Sequence, residues 1–270
     1  RQHRVAYVGL FFFLTLLLLV IVGPFLFPYT LDQVSLGERM QGPSASHWFG
    51  TDELGRDTWV RIMYGGRVSL MVGLTVGIST VIIGGLVGII AGYVGGGVDN
   101  ILMRIVDVIY TIPRIVLLLV LSKVAGPGLF NIIIILVVLE WTSAARLARG
   151  AVLSYREQEF VLAAQCLGAS RWRIMLRHLL PNSLAPLIVA ATLDAGAAIR
   201  AETTLSFLGL GIQPPTPSWG NLLTNASTNI FIAPLQVFLP GLFIFFALIS
   251  FNLLGDALRD AMDPRLSRER

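Results

Sequence analysis

Long apolar runs, separated by short polar segments, dominate the chain. Six of these runs have the length that an α-helix needs to cross the hydrocarbon core of a bilayer, which is about 20 residues. They cover residues 5–27, 68–94, 101–121, 129–145, 183–209 and 237–254. The pattern predicts an all-α, polytopic membrane protein with six transmembrane helices.

Composition supports a location in the membrane and excludes several kinds of site. Of the 270 residues, 55% are hydrophobic and 13% are charged, whereas soluble domains contain about 25% charged residues. The formal net charge of +4 indicates membrane orientation rather than nucleic-acid binding, because most of the chain lies in lipid. The single cysteine, Cys166, excludes an intrachain disulfide. With no cluster of Cys and His residues, we expect no metal site.

The distribution of basic residues predicts the topology. Residues 1–4, 142–181 and 256–270, which share one side of a six-span chain, contain twelve Lys and Arg. Residues 28–67, 122–130 and 210–235, on the other side, contain five. Cytoplasmic loops carry the excess of positive charge, so we expect both termini in the cytoplasm. The first apolar run is too long for a signal peptide, and we expect sequence to precede Arg1.

Two parts of the chain are expected. Residues 1–67 would contain the first span and a periplasmic loop with a short interfacial helix, and residues 68–270 would form a five-helix core with a cytoplasmic loop at 155–182. Asp52 and Glu53 are suited to the first turn of the interfacial helix. The apolar side of that helix would consist of Trp59, Ile62 and Met63.

The cytoplasmic loop predicts a helix, a break and a second helix. Residues 160–167 favour a helix, Gly168 interrupts it, Ser170 can cap a second helix, and Pro181 would stop that helix. The small side chains of Ala163 and Ala164 would let another surface approach closely. An ordinary amphipathic helix at the membrane surface is the alternative.

This loop resembles the coupling loop of ABC-importer permeases. The family pattern is Glu-Ala-Ala, three residues, Gly, nine residues, then Ile-x-Leu-Pro. The matching positions are Ala163, Ala164, Gly168, Leu180 and Pro181, whereas Leu162 and His178 replace the family's Glu and Ile. The resemblance implies that the coupling residues toward the ATPases are Ala163, Ala164, Gly168, Ala169, Ser170 and Arg171.

Three more stretches resemble the dipeptide, oligopeptide and nickel permeases of that family. They are HWFGTDELGRDTWVRIMYGGR at 47–67, LGLGIQPPTPSWGNLL at 208–223 and FNLLGDALRDAMDPRL at 251–266. The resemblance implies a type I ABC importer permease fold in a bacterial cytoplasmic (inner) membrane. It also implies four kinds of partner: a second homologous permease, two ABC ATPase subunits, an extracytoplasmic substrate-binding protein and membrane lipid. No nucleic-acid partner is implied.

Nucleotide chemistry is expected on the partner ATPases. A phosphate-binding loop needs Gly-Lys-Ser/Thr, and the single lysine, Lys123, lies between Ser122 and Val124. We therefore expect no cofactor in this chain, no enzymatic activity, and ATP with Mg²⁺ on the ATPases.

Charged residues inside the predicted spans are candidates for the translocation path. Uncompensated carboxylates in lipid are costly, so Asp107, Asp194 and Glu202 are the candidates. Asp107 has an alternative role as the ion-pair partner of Arg104, three residues away, or of Arg114.

The most specific function implied is the import of peptides. A nickel or glutathione importer of the same branch is the alternative substrate class. A channel or an intramembrane enzyme is a remote alternative, because no filter-like loop or HExxH motif occurs and all three histidines lie outside the spans.

Overall fold

The computed structural model describes residues 2–262, and side chains for 7–226 and 228–262. Within the described residues the chain is helical and has no β-strand, only an isolated bridge between Thr51 and Asp57. The helices are α1 Gln2–Val22, α2 Thr58–Val94, α3 Gly96–Thr111, α4 Arg114–Ala125, α5 Leu129–Tyr155, α6 Glu159–Cys166, α7 Arg171–Ile174, α8 Leu180–Phe207, α9 Ala226–Asn229 and α10 Pro234–Met262. The predicted all-α architecture is thus confirmed.

Six membrane spans are accounted for if one bent pair counts as a single span. Between residues 2 and 262, five helical segments are long and apolar enough to cross a membrane by themselves: α1, α2, α5, α8 with the preceding α7, and α10. The sixth consists of α3 and α4, which are bent by 89° at the break between them. Ile112 at this break is extended (φ −95°, ψ 132°), the conformation favoured before proline. The predicted third span is therefore broken at Pro113.

The second span begins earlier than the hydrophobic pattern predicts. Asp57 caps α2, because its carboxylate accepts a hydrogen bond from the Val60 N–H at 2.9 Å. A helix of 37 residues is about 55 Å long, which exceeds the ~30 Å hydrocarbon core. The prediction of a separate interfacial helix is wrong. Asp52 instead closes a turn, because its carboxylate accepts hydrogen bonds from the Leu54 and Arg56 N–H groups. The side chains of Trp59, Ile62 and Met63 are buried in the core.

The second cytoplasmic helix does not stop at Pro181. A π-helical turn, Met175–Leu179, connects α7 to α8, and Pro181 lies in the first turn of α8. The Leu180 N–H donates to the Met175 carbonyl, a longer-range bond that leaves room for the proline ring. Residues Arg171–Phe207 thus form one continuous helical rod.

Close backbone approach joins α2 to α5 at the centre of the bundle. Gly84 lies against the carbonyl of Trp141, and Gly88 lies against the carbonyl of Ala145. A Cβ atom at either glycine would overlap that carbonyl, so only glycine allows this packing. On the outside of the bundle α1 packs against α10, with the rings of Phe12 and Phe246 stacked at 5.4 Å.

Candidate functional site

The cytoplasmic segment contains the expected helix break, and its geometry is well defined. Gly168 has φ +78°, a left-handed conformation that glycine adopts without a steric penalty. The Gly168 N–H donates to the Gln165 carbonyl at 2.9 Å, and the Ala169 N–H donates to the Ala164 carbonyl at 3.0 Å. These two bonds form a Schellman motif. Ser170 then caps α7 by accepting from the Arg173 N–H at 3.3 Å.

The two alanines of the segment have different surroundings. Ala163 is exposed, whereas Ala164 is buried in a cluster of this chain's own side chains that includes Val161 and Ile174. Ala169 is half-buried. Ala164 therefore packs against α7 of its own chain, and the coupling role of Ala163 and Ala164 toward the ATPases stays a prediction.

Large apolar side chains point away from the protein around the break. Leu167 is 88% exposed and Trp172 is 61% exposed. Beside them, a cavity of about 390 Å³ lies between the end of α2 and the segment, and its lining includes Arg156 and Arg171. An apolar surface edged by arginines is suited to contact with another protein.

Asp107 pairs with a residue that the local spacing did not indicate. Its carboxylate accepts a hydrogen bond from Arg146 of α5 at 2.8 Å, and the same guanidinium lies 4.1 Å from the centre of the Tyr110 ring. Neither predicted partner, Arg104 nor Arg114, forms the pair. The Asp107 side chain stays half exposed.

Two more ion pairs connect α5 to neighbouring helices. Arg114 at the start of α4 pairs with Glu140, which is buried. Asp99 accepts from both Nε and Nη2 of Arg149, each at 2.6 Å. Sequence reasoning missed both pairs because the partners are 26 and 50 positions apart, beyond the reach of spacing within one helix.

The two carboxylates of α8 differ in their access to the surroundings. Asp194 is half-buried and accepts a hydrogen bond from Thr80 at 3.3 Å. Glu202 has 0% exposure and accepts from the hydroxyls of Ser69 at 3.0 Å and Ser206 at 2.8 Å. Glu202 is therefore fully enclosed in this conformation, and its assignment to the translocation path stays a prediction.

The enclosed Glu202 belongs to a wider network. Its partner Ser69 accepts a hydrogen bond from the Trp219 N–H at 3.2 Å, and Ser206 accepts from the Ile212 N–H at 3.0 Å. The indole N–H of Trp219 donates to the Ile62 carbonyl at 3.0 Å. Glu202 thus holds the 212–219 segment against α2.

Two family models match the chain. The model for the inner membrane component of binding-protein-dependent transport systems matches residues 84–268. The model for the N-terminal transmembrane domain of oligopeptide transport permease C matches residues 1–43.

Individual relatives match over nearly the full chain. The dipeptide transport system permease protein DppC of Bacillus subtilis (strain 168) is 44% identical, covering 99% of this chain and 84% of the relative. The oligopeptide transport system permease protein OppC of the same strain is 38% identical, covering 99% and 88%. The glutathione transport system permease protein GsiD of Pectobacterium atrosepticum is 39% identical, covering 98% and 88%.

Among solved structures, a chain of the MetNI methionine ABC transporter, in inward-facing conformations, has the same fold. The TM-score is 0.58 with 19% sequence identity, over 73% of this chain and 95% of the other. At this identity the likeness supports the type I permease fold alone.

Proposed function

The chain belongs to the family of inner membrane components of binding-protein-dependent transport systems, and from this premise we propose that it is a permease subunit of an ABC importer for peptides. Relatives named for dipeptide, oligopeptide and glutathione transport support the substrate class, because all three are peptides. The chain is a multi-pass protein of the inner membrane.

The proposed assembly contains a second, homologous permease, two ABC ATPase subunits and an extracytoplasmic binding protein. ATP and Mg²⁺ would bind to the ATPases, and this chain would contribute no catalytic residue. Both termini would lie in the cytoplasm, as the excess of basic residues predicts. The segment from α6 to α7 would then face the ATPases, and the 47–67 and 208–223 segments would face the binding protein.

One observation connects the cytoplasmic segment to the transport path: α7 continues through the π-helical turn into α8 without interruption. A displacement of α7 by an ATPase would therefore move the cytoplasmic end of α8 directly. The exposed Leu167 and Trp172 provide the apolar contact, and Ala163, Ser170 and Arg171 lie at its edge. Ala164 would act inside the segment by fixing the angle between α6 and α7. Closure of the ATPases would thus change which side of the membrane the path opens to.

The Schellman motif at Gly168 allows a specific test. Nothing lies within 4 Å of the position that a Gly168 Cβ would occupy, so a substitution there acts through the backbone alone. Valine is strained at φ +78°, whereas asparagine tolerates this conformation. We expect Gly168→Val to weaken copurification of the ATPase subunits and to remove the stimulation of ATP hydrolysis by loaded binding protein.

Gly168→Asn is the matched control and should retain ATPase binding and peptide uptake. In both variants the two permeases should still copurify, because the break lies outside the spans. Normal uptake and normal ATPase retention in Gly168→Val would show that the segment is an ordinary interfacial helix.

A further inference from the structure

We propose that Arg200 of α8 binds the carboxylate group of the transported peptide inside the membrane. This inference rests on the proposed function, since it assigns a chemical group of the cargo to a residue of this chain. It names a basic residue for the path, whereas the candidates drawn from sequence were all acidic.

A cavity of about 310 Å³ lies beside Arg200, at the break between α3 and α4. Its lining consists of Arg114 and Arg200, of large apolar side chains such as Ile115 and Leu118, and of small ones such as Ala197 and Thr204. Two arginines therefore line a space that is otherwise mostly apolar. The cavity is open on one side, because Arg200 and Thr204 are exposed.

The two arginines differ in how their charge is compensated. Arg114 forms an ion pair with the buried Glu140. Among the described residues, no carboxylate pairs with Arg200 and no side chain accepts a hydrogen bond from its guanidinium. Asp194 on the same helix is about 120° away around the helix axis, and its carboxylate accepts from Thr80. A positive charge is thus left available at the cavity.

The depth of Arg200 makes this charge costly without a ligand. Arg200 lies seven positions before Phe207, where α8 ends, so it is about 10 Å from that end of the helix and within the predicted span 183–209. Charged residues at such depth are rare, and they typically mark substrate or ion pathways. Arg114, which lines the same cavity, is paired with Glu140, whereas Arg200 is not.

The neighbours of Arg200 on α8 are smaller than the exposed residues of α1, whereas Ile115 on the α4 side of the cavity is large, apolar and exposed. Exposed positions on α1 are large and apolar, such as Phe11, Leu14 and Leu18. On α8 the residues three and four positions from Arg200 are Ala197 and Thr204, and Ala201 follows it. Small and polar residues leave room for a ligand and for water, whereas lipid contact favours large apolar side chains.

A carboxylate fits this site for chemical reasons. A guanidinium can donate two parallel hydrogen bonds to the two oxygens of a carboxylate, and it stays charged. Peptides with different side chains share a C-terminal carboxylate. One arginine can therefore bind many peptides through the group that they have in common, while the apolar lining tolerates different side chains.

The test uses the complete importer in proteoliposomes, with dialanine and dialanine amide as the two cargoes. Each is supplied bound to the binding protein, and loading is checked before uptake is measured, so the binding protein's own preference does not enter. The loss of one charge-assisted hydrogen-bonded pair weakens the binding of a ligand by a factor of about 10 to 100. We expect the wild type to import dialanine about 10-fold or more faster than the amide, and Arg200→Gln to import both at equal rates.

Two further variants make the result specific. Lys123→Gln removes an exposed positive charge from α4, away from the cavity lining. It should leave the ratio of dialanine uptake to dialanine amide uptake unchanged. Arg200→Lys keeps the charge without the paired geometry, and should give a ratio between those of the wild type and Arg200→Gln.

Each remaining outcome has a defined meaning. If the wild type imports dialanine and Arg200→Gln keeps the wild-type ratio, the inference is wrong and the proposed function stands. If Arg200→Gln and Arg200→Lys differ from the wild type only by loss of the second permease, Arg200 pairs with a carboxylate of that subunit and the inference is also wrong. A correctly assembled wild type that imports no peptide would contradict the proposed function itself.

Discussion

Replacing Glu202 by alanine should destabilise the protein strongly. The wild-type carboxylate has no exposure and accepts hydrogen bonds from the hydroxyls of Ser69 and Ser206. Glu202→Ala removes both acceptors, and each buried donor left unpaired costs about 1–3 kcal/mol. The space left by the side chain adds about 1 kcal/mol or more. The free energy of unfolding should fall by roughly 3–7 kcal/mol.

The measurement is thermal unfolding of the purified permease pair. For chains of 150–250 residues, 1 kcal/mol corresponds to about 2–4 °C in Tm, so Tm should fall by about 6 °C or more. Glu202→Gln is the matched control. Its amide keeps the shape and one acceptor, and its NH₂ can donate to a serine hydroxyl that rotates, so the fall in Tm should be about 2 °C or less.

Uptake per correctly folded complex separates a structural role from a role in the path. Because Glu202 is enclosed, Glu202→Gln should import peptide at the wild-type rate. A Glu202→Ala protein with unchanged Tm would refute the energetic reasoning. A Glu202→Gln protein with normal Tm and no uptake would place Glu202 in the path.

Two further predictions concern orientation and packing. An impermeant thiol reagent added to intact cells should not label the exposed Cys166 but should label Ser44→Cys in a protein lacking Cys166; the reverse pattern would contradict the proposed orientation. Gly88→Ala should lower Tm, since its Cβ would overlap the backbone of α5, at a cost of about 1–3 kcal/mol. Gly97→Ala, where nothing lies within 4 Å, should leave Tm unchanged or slightly higher; equal Tm values for the two variants would show that α2 and α5 can separate without cost.

Local pattern was sufficient for the architecture but not for the ends of its helices. Apolar runs of span length predicted six spans. Gly168, with Ser170 two positions later, predicted the break between two helices. The hydrophobic run could not show that α2 begins at Thr58, because Trp59 and its neighbours are buried by tertiary contacts while charged residues lie between them in sequence. Pro181 was mistaken for a stop because a π-helical turn has no clear sequence signal.

The charged residues inside the membrane were less predictable than the spans. Spacing on one helix suggested that Asp107 pairs with Arg104, but its partner is Arg146 of another helix. Glu202 was a candidate because an isolated carboxylate in lipid is costly, and the serine hydroxyls that compensate it come from α2 and from its own helix. Arg200 has no signal in the sequence that sets it apart from the other charges of the predicted fifth span. Its unpaired state is visible only when the packing of α4 against α8 is known.

The bonds around Trp219 also have a consequence for protein engineering. Two stretches that are 150 positions apart, at Ser69 and Trp219, are held together by Glu202, and Glu53 accepts hydrogen bonds from Asn225 and Asn229. In a hybrid built from two related permeases, a crossover between these stretches would place mismatched halves in one interface. Hybrids that exchange residues 47–69 and 202–229 together should therefore be produced in higher yield than hybrids that exchange either stretch alone.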